Sequence, residues 1–145
     1  RMTIPTLARL ESKSIVSLGE PNNRLVKKLG NCEVHSWLNA EERNKCMREA
    51  KMIVFSGGHG TCFEVIKYCK PSVCFATQPE QKANARRLQE LGCSISVENE
   101  AQLRSAILEI ETNWESYRRR VERLNAYSSG FRGLDRAVEV IEGVV

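Results

Sequence analysis

The sequence predicts an α/β domain in three layers, with a parallel β-sheet covered by helices on both faces. Short apolar runs typical of buried strands alternate along the chain with segments whose apolar residues recur at helical spacing. The chain has 145 residues, which is the ordinary size of one domain with one hydrophobic core. We therefore expect residues 1–145 to form a single domain.

The predicted elements of the first half follow from local patterns. They are, in order, a helix over 1–10, a strand over 14–18, a turn over 19–23, a short basic helix over 24–29 and an edge strand over 32–37. Gly30 would end the basic helix. Asn39 followed by Glu42 is a capping signature, which predicts that a further helix begins after Asn39.

The second half of the sequence contains the predicted central strand of the sheet. The apolar run 52–55 predicts a parallel strand buried on both faces. Apolar residues at helical spacing then predict a helix from Thr61. The remaining predicted elements are a strand over 72–76, a loop over 77–81, a helix over 82–91, a strand over 94–97 and three C-terminal helices within 103–110, 114–124 and 134–141.

Composition and charge limit the class of protein. Hydrophobic residues make up 41% of the chain and charged residues 28%, with a net charge of +4, as in a globular protein. No apolar run reaches the ~20 residues that a membrane-spanning helix needs, and no signal peptide opens the chain. We therefore expect a cytoplasmic protein, and the charge permits an anionic partner without identifying one.

Six cysteines lie inside apolar segments, without a C-x-x-C pair and with only two histidines to assist them. This pattern favours reduced core residues over disulfides or a zinc site. We therefore expect no metal and no cofactor. The cysteines are Cys32, Cys46, Cys62, Cys69, Cys74 and Cys93.

A glycine-rich turn joins the central strand to its helix. Its residues are Ser56, Gly57, Gly58, His59, Gly60 and Thr61. Glycines allow close approach of the backbone to a ligand, and the N–H groups at a helix N-terminus attract phosphate. An alternative interpretation is that Thr61 and Glu64 form a capping box, which would explain both side chains without a ligand. These residues alone leave the two interpretations open.

Further motifs follow the glycine turn at a regular spacing. They are Glu64, then Lys70-Pro71, then Pro79-Glu80-Gln81-x-x-Asn84-Ala85, and finally Leu91-Gly92. Together with the turn they resemble the donor-binding half of two-domain GT-B glycosyltransferases that use UDP-sugars. Similar enzymes include the bacterial peptidoglycan N-acetylglucosaminyltransferase and the UDP-glucuronosyltransferases. The resemblance implies a Rossmann-like domain, one half of a GT-B fold, that binds a UDP-sugar for transfer to an acceptor hydroxyl.

The resemblance also implies roles for individual residues. Glu64 would bind the ribose hydroxyls, and the N–H groups of Gly58 to Cys62 would bind the diphosphate. Glu80 and Gln81 would hold sugar hydroxyls, with Asn84 following in the same helix. Trp37 lies near the position of a tryptophan that stacks on uracil in plant members, although a core tryptophan is an equal alternative. The sugar implied is an N-acetylhexosamine.

One position departs from the family pattern. Ser56 stands where these transferases usually carry a basic residue, so positive charge for the leaving diphosphate would come from His59, the helix dipole, Lys82 or Arg86. Small residues occur there in the similar UDP-sugar hydrolases of nonulosonic (pseudaminic) acid synthesis, which also carry an aromatic residue where Phe63 lies. The hydrolase is therefore the alternative to the transferase.

The resemblance implies that the chain is incomplete. The first central strand of the nucleotide half and the acceptor-binding half, which carries the general base, are both expected outside it. We therefore expect a second domain or subunit. A further alternative to the transferase is a nucleotide-sugar-binding subunit that is inactive without its partner. The arginines at 118–120 and 123 predict either a solvated helix face or a peripheral contact with anionic lipid, consistent with a lipid-linked acceptor. Nucleic acid is not expected to bind.

Overall fold

A computed structural model describes residues 4–21 and 26–143. The helices are α1 (Ile4–Ala8), α2 (Ala40–Glu49), α3 (His59–Lys67), α4 (Pro79–Glu90), α5 (Glu100–Thr112), α6 (Trp114–Ser129) and α7 (Gly133–Glu142). The strands are β1 (Ser14–Ser17), β2 (Val26–Leu29), β3 (Cys32–His35), β4 (Ile53–Phe55), β5 (Ser72–Cys74) and β6 (Ser94–Ser96).

The described strands form two three-stranded sheets, in the orders β1-β3-β2 and β4-β5-β6. All neighbouring strands are parallel except β2, which runs antiparallel to β3. Helices cover β4-β5-β6 on both faces, so the predicted α/β architecture with a parallel sheet is confirmed. The predicted capping of α2 is also confirmed, because Asn39 and Glu42 form a reciprocal capping box.

The basic helix predicted over 24–29 is wrong, since Val26–Leu29 forms strand β2; residues 24 and 25 lie outside the described residues. Leu29 pairs with Cys32, which leaves Gly30 and Asn31 as a two-residue hairpin turn. Gly30 has a φ of +56°, and glycine at the first turn position is a hairpin signal. The preference of glycine for this hairpin turn therefore outweighs the helical spacing of the segment. Because β2 pairs with β3, β3 is the central strand of its sheet and not the predicted edge strand.

Two hydrophobic clusters hold the layers together. The first lies under α1 and α5, and it joins both sheets because it includes Val34 of β3 and Val73 of β5. The second lies between β4-β5-β6 and the helices α2, α3, α4 and α6. The buried residues of the second cluster are Met47, Cys62, Val65, Cys74, Ala85, Leu88, Cys93 and Val121.

Within the described residues, β1 and β4 each have a strand partner on one side only. The N–H groups of Ser14 and Leu18 donate toward β3 at 2.9 Å each, so the peptide groups of Ile15 and Ser17 point the opposite way. By the same alternation, the backbone N–H group of Val54 points away from β5. Residues 14–18 and Val54 line one cleft of about 350 Å³. The two open sheet edges therefore border the same space.

The edge formed by β6 is protected by glutamine side chains. Gln89 Oε1 accepts a hydrogen bond from the Ser96 N–H at 2.7 Å, and Gln102 Oε1 accepts one from the Glu98 N–H at 2.8 Å. Unpaired edge donors invite another chain to add a strand. The two glutamines occupy these donors and so limit association at this edge.

The six cysteines are free thiols, four of them buried and Cys46 and Cys69 partly exposed. Burial raises the pKa of the Cys74 thiol to about 11, while its hydrogen bond with Ser94 acts in the opposite direction. This thiol is protonated at neutral pH and has a packing role. Among the described residues, no group of His, Cys, Asp and Glu could hold a metal ion.

Within 4–21 and 26–143, none of the helices has both the length and the apolar content that crossing a bilayer requires.

Candidate functional site

The glycine turn is shorter than the sequence predicts, because α3 begins at His59 instead of Thr61. Gly57 is buried and has a φ of +84°, in the left-handed region that favours glycine. A Cβ at this position would lie 2.7 Å from the backbone oxygen of Gln81. The turn therefore requires glycine at position 57 for two reasons, its backbone conformation and its close contact with α4.

The start of α3 presents unsatisfied N–H groups. The N-cap is Gly58, without a side-chain hydrogen bond, so the proposed capping box of Thr61 and Glu64 is wrong. The Cys62 N–H donates to the Gly58 oxygen at 3.0 Å, which removes Cys62 from the amides expected to bind diphosphate. The N–H groups of residues 58–61 precede that first helical bond, and no acceptor for them is found among the described residues.

Residues of α4 hold the glycine turn from the other side. Asn84 Nδ2 donates to the Gly57 oxygen at 3.0 Å and to Glu80 Oε1 at 2.6 Å. Helix α4 begins at Pro79, three residues before the predicted start at Lys82, so Glu80 lies in its first turn. Asn84 thus fixes the carbonyl of the turn and the carboxylate of Glu80 in one arrangement.

Gln81 has a capping role in the structure. Its Oε1 accepts hydrogen bonds from the backbone N–H groups of Thr77 at 3.2 Å and Gln78 at 3.3 Å. The second of these bonds joins Gln81, in the first turn of α4, to the helix N-cap Gln78. The backbone of Gln81 lies close to Gly57, so Gln81 is beside the glycine turn. Its contact with a sugar stays a prediction.

Cys62 lies beneath the same turn. Burial, followed by the negative charge of Glu80, raises the pKa of the Cys62 thiol above its ordinary value. The protonated Sγ donates to the Gly57 oxygen at 3.6 Å. The thiol supports the turn and is not poised as a nucleophile, since nucleophilic cysteines react as thiolates.

Glu64 is paired with a residue that the sequence patterns do not indicate. Arg43 Nη1 donates to Glu64 Oε1 at 2.6 Å, and Arg43 Nη2 donates to Glu64 Oε2. The two side chains are 46% and 24% exposed, so the carboxylate can be reached by solvent. The partners are 21 positions apart in the sequence, and no local motif signals such a contact.

Trp37 lies in the loop that joins β3 to α2. It is 50% exposed, so the alternative of a core tryptophan is wrong and its ring is free to stack on a ligand. The Glu20 N–H donates to the Ser36 oxygen at 2.7 Å, which joins the loop after β1 to the loop carrying Trp37. The stacking role itself stays a prediction.

The residues predicted to supply positive charge to a diphosphate differ in whether they are already paired with other side chains. Ser56 and His59 are exposed, and the His59 ring packs edge-to-face on Phe63 with 4.8 Å between ring centroids. Arg86 is committed elsewhere, because its Nε donates to Glu90 Oε1 at 3.0 Å. Lys82 is exposed on α4. His59, Lys82 and the N-terminus of α3 therefore stay as the predicted sources of charge for a diphosphate.

A groove of about 770 Å³ lies away from this region, along β6 between α4 and α5. None of the predicted site residues lines it, although Arg86 does. We place the candidate site at the glycine turn because four predicted residues, Gly57, Glu80, Gln81 and Asn84, are in direct contact there. The groove has no comparable set of contacts to predicted residues.

The comparison with protein families matches residues 17–132 to the model described as "Glycosyltransferase family 28 C-terminal domain". The chain belongs to this family. The match includes the whole glycine turn, Glu64 and the start of α4. It confirms that the chain resembles the donor-binding, C-terminal domain of GT-B glycosyltransferases. The search of curated proteins found no match to the sequence of this chain.

Solved structures share the fold of this family 28 domain. The glycosyltransferase of kitacinnamycin superposes with a TM-score of 0.79 at 23% identity, covering 96% of this chain and 37% of its own. The glycosyltransferase VinC, in complex with dTDP, has a TM-score of 0.73 at 17% identity, covering 98% and 36%. SsfS6 from Streptomyces sp. SF2575, complexed with thymidine diphosphate, has a TM-score of 0.70 at 17% identity, covering 99% and 45%.

The family 28 domain thus spans between 36% and 45% of the length of these three structural neighbours. At these identities the likeness establishes the GT-B type α/β fold.

Proposed function

We propose that this domain binds the nucleotide part of a UDP-sugar and holds it for transfer of the sugar to an acceptor hydroxyl. The observation that carries the proposal is the glycine turn: its backbone is fixed by Asn84 and Gln81, and the unsatisfied N–H groups of α3 begin directly after it. A helix N-terminus of this kind, in a family 28 glycosyltransferase domain, is suited to a diphosphate.

In this proposal the residues have separate tasks. The N–H groups of residues 58–61 bind the diphosphate and stabilise the charge that develops on it as the sugar leaves. Glu64 accepts hydrogen bonds from the ribose hydroxyls, and Trp37 stacks on the uracil ring. Glu80 binds the sugar. The general base lies outside this chain, and His59 is proposed only as a contact to the diphosphate.

The base and sugar of the nucleotide need a direct test. Two of the structural neighbours were crystallised with thymidine diphosphate, which supports a pyrimidine diphosphate here. Glu64 favours UDP over dTDP for this chain, because UDP offers two vicinal ribose hydroxyls and dTDP only one. The proposed sugar, an N-acetylhexosamine, rests on the sequence resemblance.

The experiment is a calorimetric titration of the purified chain with UDP, dTDP and ADP. We expect UDP to bind and ADP not to bind, with dTDP weaker than UDP by about tenfold for the lost hydroxyl. Equal binding of UDP and ADP would contradict a pyrimidine site, and no binding of any of the three would contradict a nucleotide site in this chain. UDP-sugar hydrolysis without an acceptor would favour the alternative of a UDP-sugar hydrolase.

We further infer that the domain works with additional chain. The open edges of β1 and β4 border one cleft, and a strand placed parallel between them would pair with both and join the two sheets. The N–H groups of Ile15, Ser17 and Val54 have no strand partner within the described residues and are then expected to exchange with solvent hydrogen within minutes in this chain. Slow hydrogen exchange at all three positions would contradict an unfilled cleft between β1 and β4.

A second domain or subunit would supply the acceptor site, as the short coverage of the structural neighbours supports. The proposed acceptor is lipid-linked or a small molecule, with the protein in the cytoplasm at the inner face of the membrane. On α6, Arg119 and Arg123 are exposed, whereas Arg118 pairs with Glu122. Co-sedimentation with anionic but not neutral vesicles tests this contact, and equal sedimentation with both would contradict it.

A further inference from the structure

The paired residues Arg43 and Glu64 connect two parts of the candidate site. Arg43 lies in α2, four residues after the helix N-cap Asn39, and the loop before that cap carries Trp37. Glu64 lies in α3, which starts at the glycine turn. The ion pair therefore joins α2 to α3. Helix α2 follows Trp37, the predicted base-stacking residue, and α3 carries Glu64, the predicted ribose-binding residue.

The geometry of the pair fixes the carboxylate. Both guanidinium Nη atoms donate, one to each oxygen of Glu64, and such a forked contact restricts the side-chain torsions of both partners. Arg43 itself projects from a helix whose first turn is held by the reciprocal Asn39 and Glu42 capping box. The orientation of the Glu64 carboxylate is thus set by a rigid part of the fold.

The pair leaves room for a ligand on the same carboxylate. A carboxylate has about four acceptor positions, two on each oxygen. Arg43 occupies the position on each oxygen that faces it, and the two positions left point to opposite sides of the carboxylate. The ribose hydroxyls would therefore share the outer side of one oxygen. The pair is also partly exposed, and exposed ion pairs contribute little to stability.

Building on the function proposed above, we infer that Arg43 is a positioning residue for nucleotide binding. It holds the Glu64 carboxylate in one orientation, with the outer side of one oxygen directed to the ribose diol. Arg43 touches Glu64 and not the sugar in this inference. Its removal should therefore weaken only that part of nucleotide affinity which the ribose hydroxyls provide.

The test measures UDP and 2′,3′-dideoxy-UDP binding by calorimetry for the unaltered chain, Arg43→Met and Arg48→Met. Arg48 is the matched control, an exposed arginine near the other end of α2. We expect Arg43→Met to weaken UDP binding about tenfold and to change dideoxy-UDP binding less than twofold. Arg48→Met should leave both affinities unchanged.

A double variant separates positioning from a general structural role. In a Glu64→Ala background, Arg43→Met should cause no further loss of UDP affinity, because the carboxylate that Arg43 orients is gone. Arg43→Lys keeps the charge but not the fork, and an intermediate loss is expected. Thermal unfolding of each variant is recorded, and Arg43→Lys replaces Arg43→Met in the cycle if the latter does not fold.

The outcomes distinguish failure of the inference from failure of the proposed function. If the unaltered chain does not bind UDP, the proposed function and this inference are both overturned. If UDP binds but Arg43→Met weakens UDP and dideoxy-UDP equally, or weakens neither, the proposed function stands and the role of Arg43 is refuted. An additive effect in the Glu64→Ala background would refute it in the same way.

Discussion

Replacing Gly57 with alanine is expected to destabilise the domain by roughly 2 to 4 kcal/mol and to lower UDP affinity at least tenfold. The φ of +84° at Gly57 is strained for any residue with a Cβ. The new methyl group would also meet the Gln81 backbone oxygen at 2.7 Å, and a backbone atom at the start of α4 cannot move alone. Chemical denaturation and calorimetry with UDP measure the two effects.

Gly133→Ala is the control for this substitution. Gly133 begins α7 and lies far along the chain from the glycine turn, and a Cβ added to it would meet no atom of the described residues within 4 Å. We expect its replacement to change stability by less than about 1 kcal/mol and UDP affinity not at all. If Gly57→Ala were as stable as the unaltered chain and bound UDP equally, the turn would not be the rigid support that the proposed site requires.

Replacing Glu64 with alanine is expected to weaken UDP binding by about 1.5 to 3 kcal/mol, roughly tenfold to a hundredfold, while the fold stays intact. The lost interaction is a hydrogen bond from each ribose hydroxyl to a charged acceptor. The fold should tolerate the change because Glu64 caps no helix and because Arg43, 46% exposed, can be hydrated once its partner is gone. Calorimetry and thermal unfolding measure both parts.

The matched control is Glu90→Ala, which removes an equally paired carboxylate at the far end of α4. Glu90 accepts hydrogen bonds from Arg86 at 3.0 Å and from Arg87 at 3.3 Å. Its loss should leave UDP affinity unchanged. If Glu64→Ala unfolded the domain, or reduced binding of UDP and dideoxy-UDP to the same extent, Glu64 would be a structural residue and the ribose assignment would be wrong.

The layered α/β architecture was accessible from the sequence because it is encoded by local periodicity. The apolar run ending at Phe55, the glycines after it and the helical spacing from Cys62 onward are short-range features that a buried strand, a turn and a packed helix require. The same holds for the capping of α2, where Asn39 and Glu42 are three residues apart. The order of motifs from the glycine turn to Asn84 likewise indicated the family.

Errors arose where two local signals competed. The segment 26–29 carries both helical spacing and a following glycine, which fits a helix end as well as a hairpin turn. The structure selects the hairpin, because β2 pairs along its whole length with β3. The start of α3 was misplaced for a different reason, since the apolar helical spacing begins only at Cys62 although the helix is capped at Gly58.

By itself the sequence determined the fold class, the glycine turn and the family, because each depends on residues close together in the chain. Only the tertiary structure decided how the site is held. Asn84 reaches Gly57 across 27 positions, and Arg43 reaches Glu64 across 21. The facing open edges of β1 and β4 are likewise a product of sheet order. Such contacts depend on where the helices and strands pack, which no local pattern specifies.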